Sequence, residues 1–214
     1  MIARIWRGAT SAEDADAYVD YLQGTGLKEY RATPGNEAAA LLRRALDGQT
    51  EFLALTFWAS LDAIHGFAGD EIGAAVFYPE DDRYLVERDD TVSHYEARDM
   101  AGPRTVPVEE GEISRVWHGW ANRENAGAYE RLLEAEVLPG IHDRVEGFRG
   151  VYLLRRDVGG GVEFVTITRW GSLEAIRAFA GRDHEAAVVP PEARALLDRF
   201  DERSRHYETI PARG

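Results

Sequence analysis

Polar and apolar positions alternate from the second residue of the chain. Ile2, Arg4 and Trp6 fall on one side of a run spanning 2–8, the period of two that a pleated strand imposes. The pattern then becomes a helical stripe. Ala15, Tyr18, Val19 and Leu22 recur at spacings of three and four behind Ser11, a residue suited to a helix N-cap, and Gly24 and Gly26 end the run. A second strand is predicted over about 39–45. Asp47-Gly48 reads as a hairpin turn and 51–58 as the returning strand. Ser60 caps a second helix that turns Leu61, Ile64 and Phe67 inward and stops at Gly69. A looser, partly helical stretch runs past Pro79, and 91–97 is the last strand.

The same plan then recurs. The segment IARIWRG at 2–8 returns as ISRVWHG at 113–119, and Glu13, Ala15, Ala17 and Tyr18 return as Glu124, Ala126, Ala128 and Tyr129. After one inserted residue the offset is a constant 112 residues: Trp58, Ser60 and Leu61 match Trp170, Ser172 and Leu173, and His94-Tyr95-Glu96 matches His206-Tyr207-Glu208. Such a register implies two copies of one module. The predicted division is a first repeat over 1–97, a linker over 98–111 rich in Gly and Pro, and a second repeat over 112–210 with Asn122 and Ser172 as helix caps. Each repeat reads β-α-β-β-α-β. The fold class is α+β, two tandem ferredoxin-like repeats.

A four-stranded sheet with helices on one face leaves its other face bare. In the third strand Phe52, Ala54, Thr56 and Trp58 share one side and Leu53, Leu55 and Phe57 the other. The wholly apolar set is assigned to the helices, and the mixed set, with Arg4 and Trp6, to the second face. Leaving such side chains in water forgoes about 2 kcal/mol each, on the order of 10–15 kcal/mol over both repeats, which rivals the stability of a domain. The two sheets are therefore expected to close on each other as an intramolecular dimeric α+β barrel, so that the chain is a monomer.

A short first strand, a paired hairpin and a Trp-x-Ser step into the second helix, Trp58-Ala59-Ser60 and Trp170-Gly171-Ser172, resemble the antibiotic-biosynthesis-monooxygenase-like family of dimeric α+β barrels. The resemblance covers both repeats. It implies a pocket between sheet and helices, and Trp58 and Trp170 match the family's pocket tryptophan. Some members oxygenate polycyclic aromatic anthrones without a cofactor and others degrade haem. Where the oxygenases carry an asparagine, four residues before that tryptophan, this chain has Ala54 and Thr166. Their pocket tyrosine falls on Ile64 and Ile176. The haem degraders' axial histidine falls near Val76 and Val188, and their first-strand asparagine near Trp6 and Trp117.

Composition narrows the chemistry. The net charge of -13 disfavours nucleic acid and anionic membranes as partners. No cysteine is present, which removes disulfides, thiolate metal sites and cysteine nucleophiles. Without a leader-like or membrane-spanning apolar run, the expected location is the cytoplasm.

The candidate chemistry is duplicated. Trp6, Trp58, Trp117 and Trp170 form either an aromatic box for a flat ligand or core packing. Arg4 and Arg115 hold an anion or a rim ion pair. His94 and His206, with Glu96 and Glu208 two residues on, read as general bases or as hydrogen-bonded strand-end histidines. Thr56, Thr168 and Tyr78 complete the substrate-binding set. The other histidines show no metal-ligand spacing, and no metal or cofactor is expected. The acid run Glu80-Asp81-Asp82 reads as a solvated face. The halves also diverge: Tyr78, Asp81, Asp82 and Tyr84 become Pro190, Ala193, Arg194 and Leu196. The first repeat is the preferred site, because Ala38-Ala39-Ala40 leaves room. The expected activity is cofactor-independent oxygenation of an aromatic metabolite, with a haem-binding or haem-degrading protein and a non-catalytic binding or stress protein as the alternatives.

Overall fold

The structure, a computed structural model, describes residues 1–101 and 111–213, apart from the side chains of 99–101 and 142–144. The predicted linker lies for the most part outside the described residues. The chain divides into two compact units. The first is Met1–Tyr95 completed by Glu208–Gly214, and the second is Gly111–Tyr207 completed by the segment that starts at Glu96.

The first unit runs β1 (Ile2–Ser11), α1 (Ala15–Gly24), α2 (Gly26–Ala32), β2 (Asn36–Ala45), β3 (Gln49–Trp58), α3 (Leu61–Ala68), α4 (Asp81–Tyr84), β4 (Leu85–Arg88) and into β5 (Ser93–Ala101). Its sheet has the order β2-β3-β1-β5, with β4 alongside β1. The first strand thus lies between the third and the last, as in a ferredoxin-like unit. The second unit runs β6 (Ile113–Asn122), α5 (Arg123–Leu132), a π-helical turn (Leu133–Val137), α6 (Leu138–Arg144), β7 (Phe148–Val158), β8 (Gly161–Trp170), α7 (Leu173–Ala180), α8 (Pro191–Arg194), β9 (Arg199–Phe200) and β10 (Arg205–Pro211). Its order is β7-β8-β6-β10, with β9 alongside β6. The outer edge of β2 is filled by Glu208 to Pro211 of β10, and that of β7 by the later residues of β5.

The helix starts follow the predicted chemistry. The Ser60 and Ser172 hydroxyls accept from the N–H groups of Ala63 and Ala175 at 3.2 Å each, and Asn122 accepts from Asn125 at 2.9 Å. Ser11 is different. Strand β1 runs through it in register with Gln49, so it lies too early to cap α1. It accepts from the Asp14 N–H and donates to the Asp14 carboxylate, closing a turn instead. Leu61, at the first position of α3, is 45% exposed rather than inward, whereas Ile64 is buried. Helix α2 was not anticipated: Gly24 and Gly26 mark a corner between two helices, and Leu27 and Tyr30 anchor the second in the core.

The faces of the sheet are the reverse of the expectation. Trp6, Phe52, Ala54 and Trp58 join Tyr18, Leu22, Tyr30 and Ile64 in the helix-side core. Leu55 and Phe57 share the opposite face with Ala3, Ala40 and Leu42, and these are buried as well. Polarity could not decide the matter, because both faces are apolar enough to be covered. The consequence is functional: Arg4 and Arg115 lie under the helices of their own units.

Candidate functional site

Each unit holds a recess between its sheet and its helices. The one in the first unit spans about 420 Å³ with the open space at its mouth included, and is lined by Arg4 and Trp6 of β1, Tyr18 and Tyr30 of α1 and α2, and Phe77, Tyr78 and Asp81. Room for the indole of Trp6 comes from Gly8. A Cβ at that position would sit 2.3 Å from the far ring edge of Trp6, and one at Gly119 would sit 2.7 Å from that of Trp117. The Trp-x-Gly pattern of both first strands is therefore a steric pairing that lets each tryptophan lie back along its strand. Each indole is then pinned by its N–H, Trp6 to the Asp89 carbonyl and Trp117 to the Asp201 carbonyl, both at 2.8 Å.

Arg4 is the central polar group. It is only 2% exposed. One terminal nitrogen donates to the Ala74 carbonyl at 2.9 Å, the guanidinium lies 5.4 Å from the Phe67 ring centroid, and its Nε has no hydrogen-bond partner among the described residues. No carboxylate pairs with it there. A buried cation left in this state costs several kcal/mol in desolvation, and burial accordingly lowers its pKa while the neighbouring Tyr30 hydroxyl opposes the shift. Burial also raises the Tyr30 pKa, against the pull of Arg4. Asp81 is the recess's acid. It is 3% exposed and accepts from the Tyr78 N–H at 2.6 Å and the Tyr18 hydroxyl at 3.3 Å. Burial raises its pKa in spite of those bonds. The Tyr78 hydroxyl donates to Glu29 at 2.5 Å.

The structure therefore brings Arg4, Trp6 and Tyr78 to one recess, and Arg115, Trp117 and Thr168 to the other. Thr56, Trp58 and Trp170 are not among the lining residues. The Trp58 indole donates to the Thr56 hydroxyl at 2.8 Å, and that hydroxyl donates to the Arg4 carbonyl at 3.3 Å. Trp170, Thr168 and Arg115 repeat the chain at 2.9 and 3.4 Å. These residues fix the backbone that carries each arginine.

His94 and His206 do not line the recesses either. The His94 Nε2 is buried without a hydrogen-bond partner among the described residues. Burial, and then the nearby Arg4 charge, hold its pKa below the ordinary histidine value, so the ring is neutral at pH 7. His206 stacks on His184 at 5.2 Å. The expected His-Glu pairs do not form among the described residues. Glu208 is taken by Arg43 at 2.6 Å, and Glu96 is exposed opposite Arg155, because the last strands continue into pairing with β2 and β7. Asp81, Tyr18 and Tyr30 were not anticipated as site residues. The acid run expected at the surface holds one inward member, Asp81, flanked by exposed Glu80 and Asp82. The available signal was its three-residue spacing from Tyr78 and Tyr84, the helical spacing of one face.

The second recess, about 510 Å³ with the open space at its mouth included, retains Arg115 but among the described residues no acid in its lining; Ala193 stands where the first unit has Asp81. Val137, Leu138 and Ile141, from the π-helical turn and α6, form its wall with Phe179, Val188 and Val189.

Residues 119–191 match the model of the antibiotic biosynthesis monooxygenase family. The matched span includes Trp170-Gly171-Ser172. No curated protein matches the chain. Solved structures share its fold along its whole length. An anthrone oxidase-like protein is 15% identical with a TM-score of 0.61, covering 100% of this chain and 94% of its own. A monooxygenase-like protein from Listeria innocua is 10% identical with a TM-score of 0.51, covering 100% and 96%. The haem-degrading enzyme LmHde from Listeria monocytogenes is 9% identical with a TM-score of 0.51, covering 96% and 98%. Among the described residues no helix is long and apolar enough to cross a membrane.

Proposed function

We propose, from the match of residues 119–191 to the antibiotic biosynthesis monooxygenase family and from the recess geometry, that this chain is a small-molecule enzyme working in the recess of its first unit. The reaction is oxygenation of an electron-rich aromatic compound without a cofactor. The observation that carries this reading is Arg4, a buried guanidinium on the recess wall with no carboxylate partner among the described residues. Such a cation favours an anionic ligand, and favours it more as charge gathers on a phenolate or enolate oxygen. Trp6, Phe77 and Tyr78 supply flat surfaces beside it.

In the proposed reaction a base removes a proton from an acidic CH₂ group of the substrate. The carbanion, its charge delocalised onto the oxygen held by Arg4, passes an electron to O₂. The two radicals combine at that carbon, and the peroxide loses water. One CH₂ and one O₂ give one C=O and one H₂O. Asp81, whose carboxyl lines the recess, is the base in this reading; His94 lies near Arg4 but outside the lining and is not placed to reach the substrate. Exclusion of water keeps the electrostatic effect of Arg4 strong. The test is oxygen uptake with a hydroxylated anthrone as probe. Uptake above the spontaneous rate, matched by quinone absorbance and reduced at least tenfold in Arg4→Met, is expected. Uptake no faster than the spontaneous rate overturns the oxygenase reading.

The relative that degrades haem prompts a second question, whether these residues fit that group. The axial histidine of the haem degraders falls near Val76 and Val188, and no histidine lines either recess among the described residues. The lining does not fit a histidine-ligated haem, and no step is routed through one.

The domain arrangement belongs to the same reading. The repeats are proposed to form within one chain the dimeric barrel that separate copies make elsewhere in the family. The burial of Leu55, Phe57, Val165 and Ile167, all on the sheet faces away from the helices, supports it.

A further inference from the structure

We propose that the recess of the second unit is a separate binding site for a compact apolar monocarboxylate. This inference stands apart from the oxygenase reading, since it concerns other residues.

Three observations on Arg115 and its surroundings carry it. Arg115 is 6% exposed and lines the recess. Among the described residues its guanidinium donates to the Ala186 carbonyl at 2.8 Å, lies 5.6 Å from the Phe179 ring centroid, and leaves its buried Nε without a partner. No carboxylate of the described residues pairs with it. Burial lowers its pKa only to about 10, so it remains charged at neutral pH. One uncompensated positive charge calls for one negative charge, and the planar fork of a guanidinium matches a carboxylate.

The rest of the lining sets the remainder of the ligand. Val137, Leu138, Ile141, Phe179 and Val189 surround the arginine with hydrocarbon, and Val188 is 43% exposed at the mouth. A π-helical turn supplies the first of these residues, and such turns are frequent at functional sites. The polar remainder of the lining is the hydroxyls of Tyr129, Thr166 and Thr168, three groups against an otherwise hydrocarbon wall, so an alkyl or aryl chain fits it better than a sugar or phosphate ester, whose many polar groups would outnumber their partners. The proton-handling groups of the first unit are missing here. Asp81 and Tyr78 are replaced by Ala193 and Pro190, and His206 is stacked on His184 outside the lining. Among the described residues the recess has a group to bind an anion and no histidine or carboxylate in its lining.

Octanoate is the probe and octanol its uncharged counterpart, each titrated into the full chain by calorimetry with tryptophan fluorescence alongside. Octanoate should bind with one site per chain, at least tenfold more tightly than octanol. Arg115→Met should weaken octanoate at least tenfold and leave octanol unchanged. Val188→Trp, which narrows the mouth and keeps the charge, should weaken both, so the result does not depend on the arginine variant folding well. Arg4→Met should leave the octanoate affinity within twofold. Failure of octanoate to bind, equal affinity for octanol, or loss of binding in Arg4→Met with retention in Arg115→Met each overturns the assignment. Anthrone oxidation is measured separately, so that failure of one proposal is distinguishable from failure of the other.

Discussion

At the scale of single residues the site is governed by groups buried without a counter-charge. His94 is one of them. Its folded pKa lies below that of the unfolded chain, so the unfolded state takes up a proton first as the pH falls. The stability it permits is whole above about pH 6.5 and is lost progressively below that value. His94→Gln should therefore flatten the decline in melting temperature between pH 7 and 5, and an unchanged slope would show that this imidazole is not held neutral. Thr56 is a second case. It takes the Trp58 indole N–H and donates to the Arg4 carbonyl. Thr56→Val keeps the shape but leaves the buried Trp58 indole N–H without the hydroxyl that accepts from it, a destabilisation of about 1–3 kcal/mol. Urea unfolding measures this, and Thr168→Val should cost a similar amount for the same reason. The strand alternation in the sequence already put Arg4, Trp6, Thr56 and Trp58 on one side, and they are on one side. It did not reveal which of them open onto space and which form the wall, because that depends on helix packing. Asp81 stayed hidden because its two acidic neighbours are exposed and resemble it in every way the sequence displays.

Among the elements, the first strand of each unit makes the recess possible. The indole of Trp6 occupies the volume that any side chain at position 8 would need. Gly8→Ala must push the indole forward into the recess, with a strain cost of about 1–3 kcal/mol. The expected outcome is weaker ligand binding in the first unit with the second unaffected, and Gly119→Ala should do the reverse. Fluorescence of the displaced tryptophan and ligand titration would check the pair, and loss of both sites from one substitution would contradict the steric account. The Trp-x-Gly spacing was visible as part of the repeat, but its meaning needed the ring's position. Caps and turn glycines were legible for a simpler reason, since their hydrogen bonds span only three residues. Gly69 and Gly181, with φ of +72° and +87°, end α3 and α7 where the apolar stripe stops. Helix α2 and the π-helical turn were not legible, because they are set by packing around Leu27, Tyr30 and Leu138 rather than by local signals.

For the whole molecule, the predicted repeats and the compact units do not coincide. The residues that fill the outer edge of β2 come from the far end of the chain, more than 160 residues away: Glu208, Thr209, Ile210 and Pro211 pair with Arg43, Leu42, Leu41 and Ala40. Arg43 joins Glu208 at 2.6 Å, and Gln23 donates to the Pro211 carbonyl at 2.9 Å. A fragment of residues 1–97 therefore contains the first repeat but lacks the strand that closes its sheet edge, and an open edge of this kind seeks another chain. Such a fragment should dimerise or aggregate in light scattering, while the full chain of 23.9 kDa should remain a monomer. Deleting 208–214 from the full chain is the finer test. Amide exchange should quicken along β2, where the ladder partner is gone, and stay slow along β7, whose partner comes from β5. A monomeric, fully folded 1–97 fragment, or unchanged exchange along β2 after the deletion, would mean that each repeat is self-sufficient and that the proposed pseudo-dimer is not what holds the chain together.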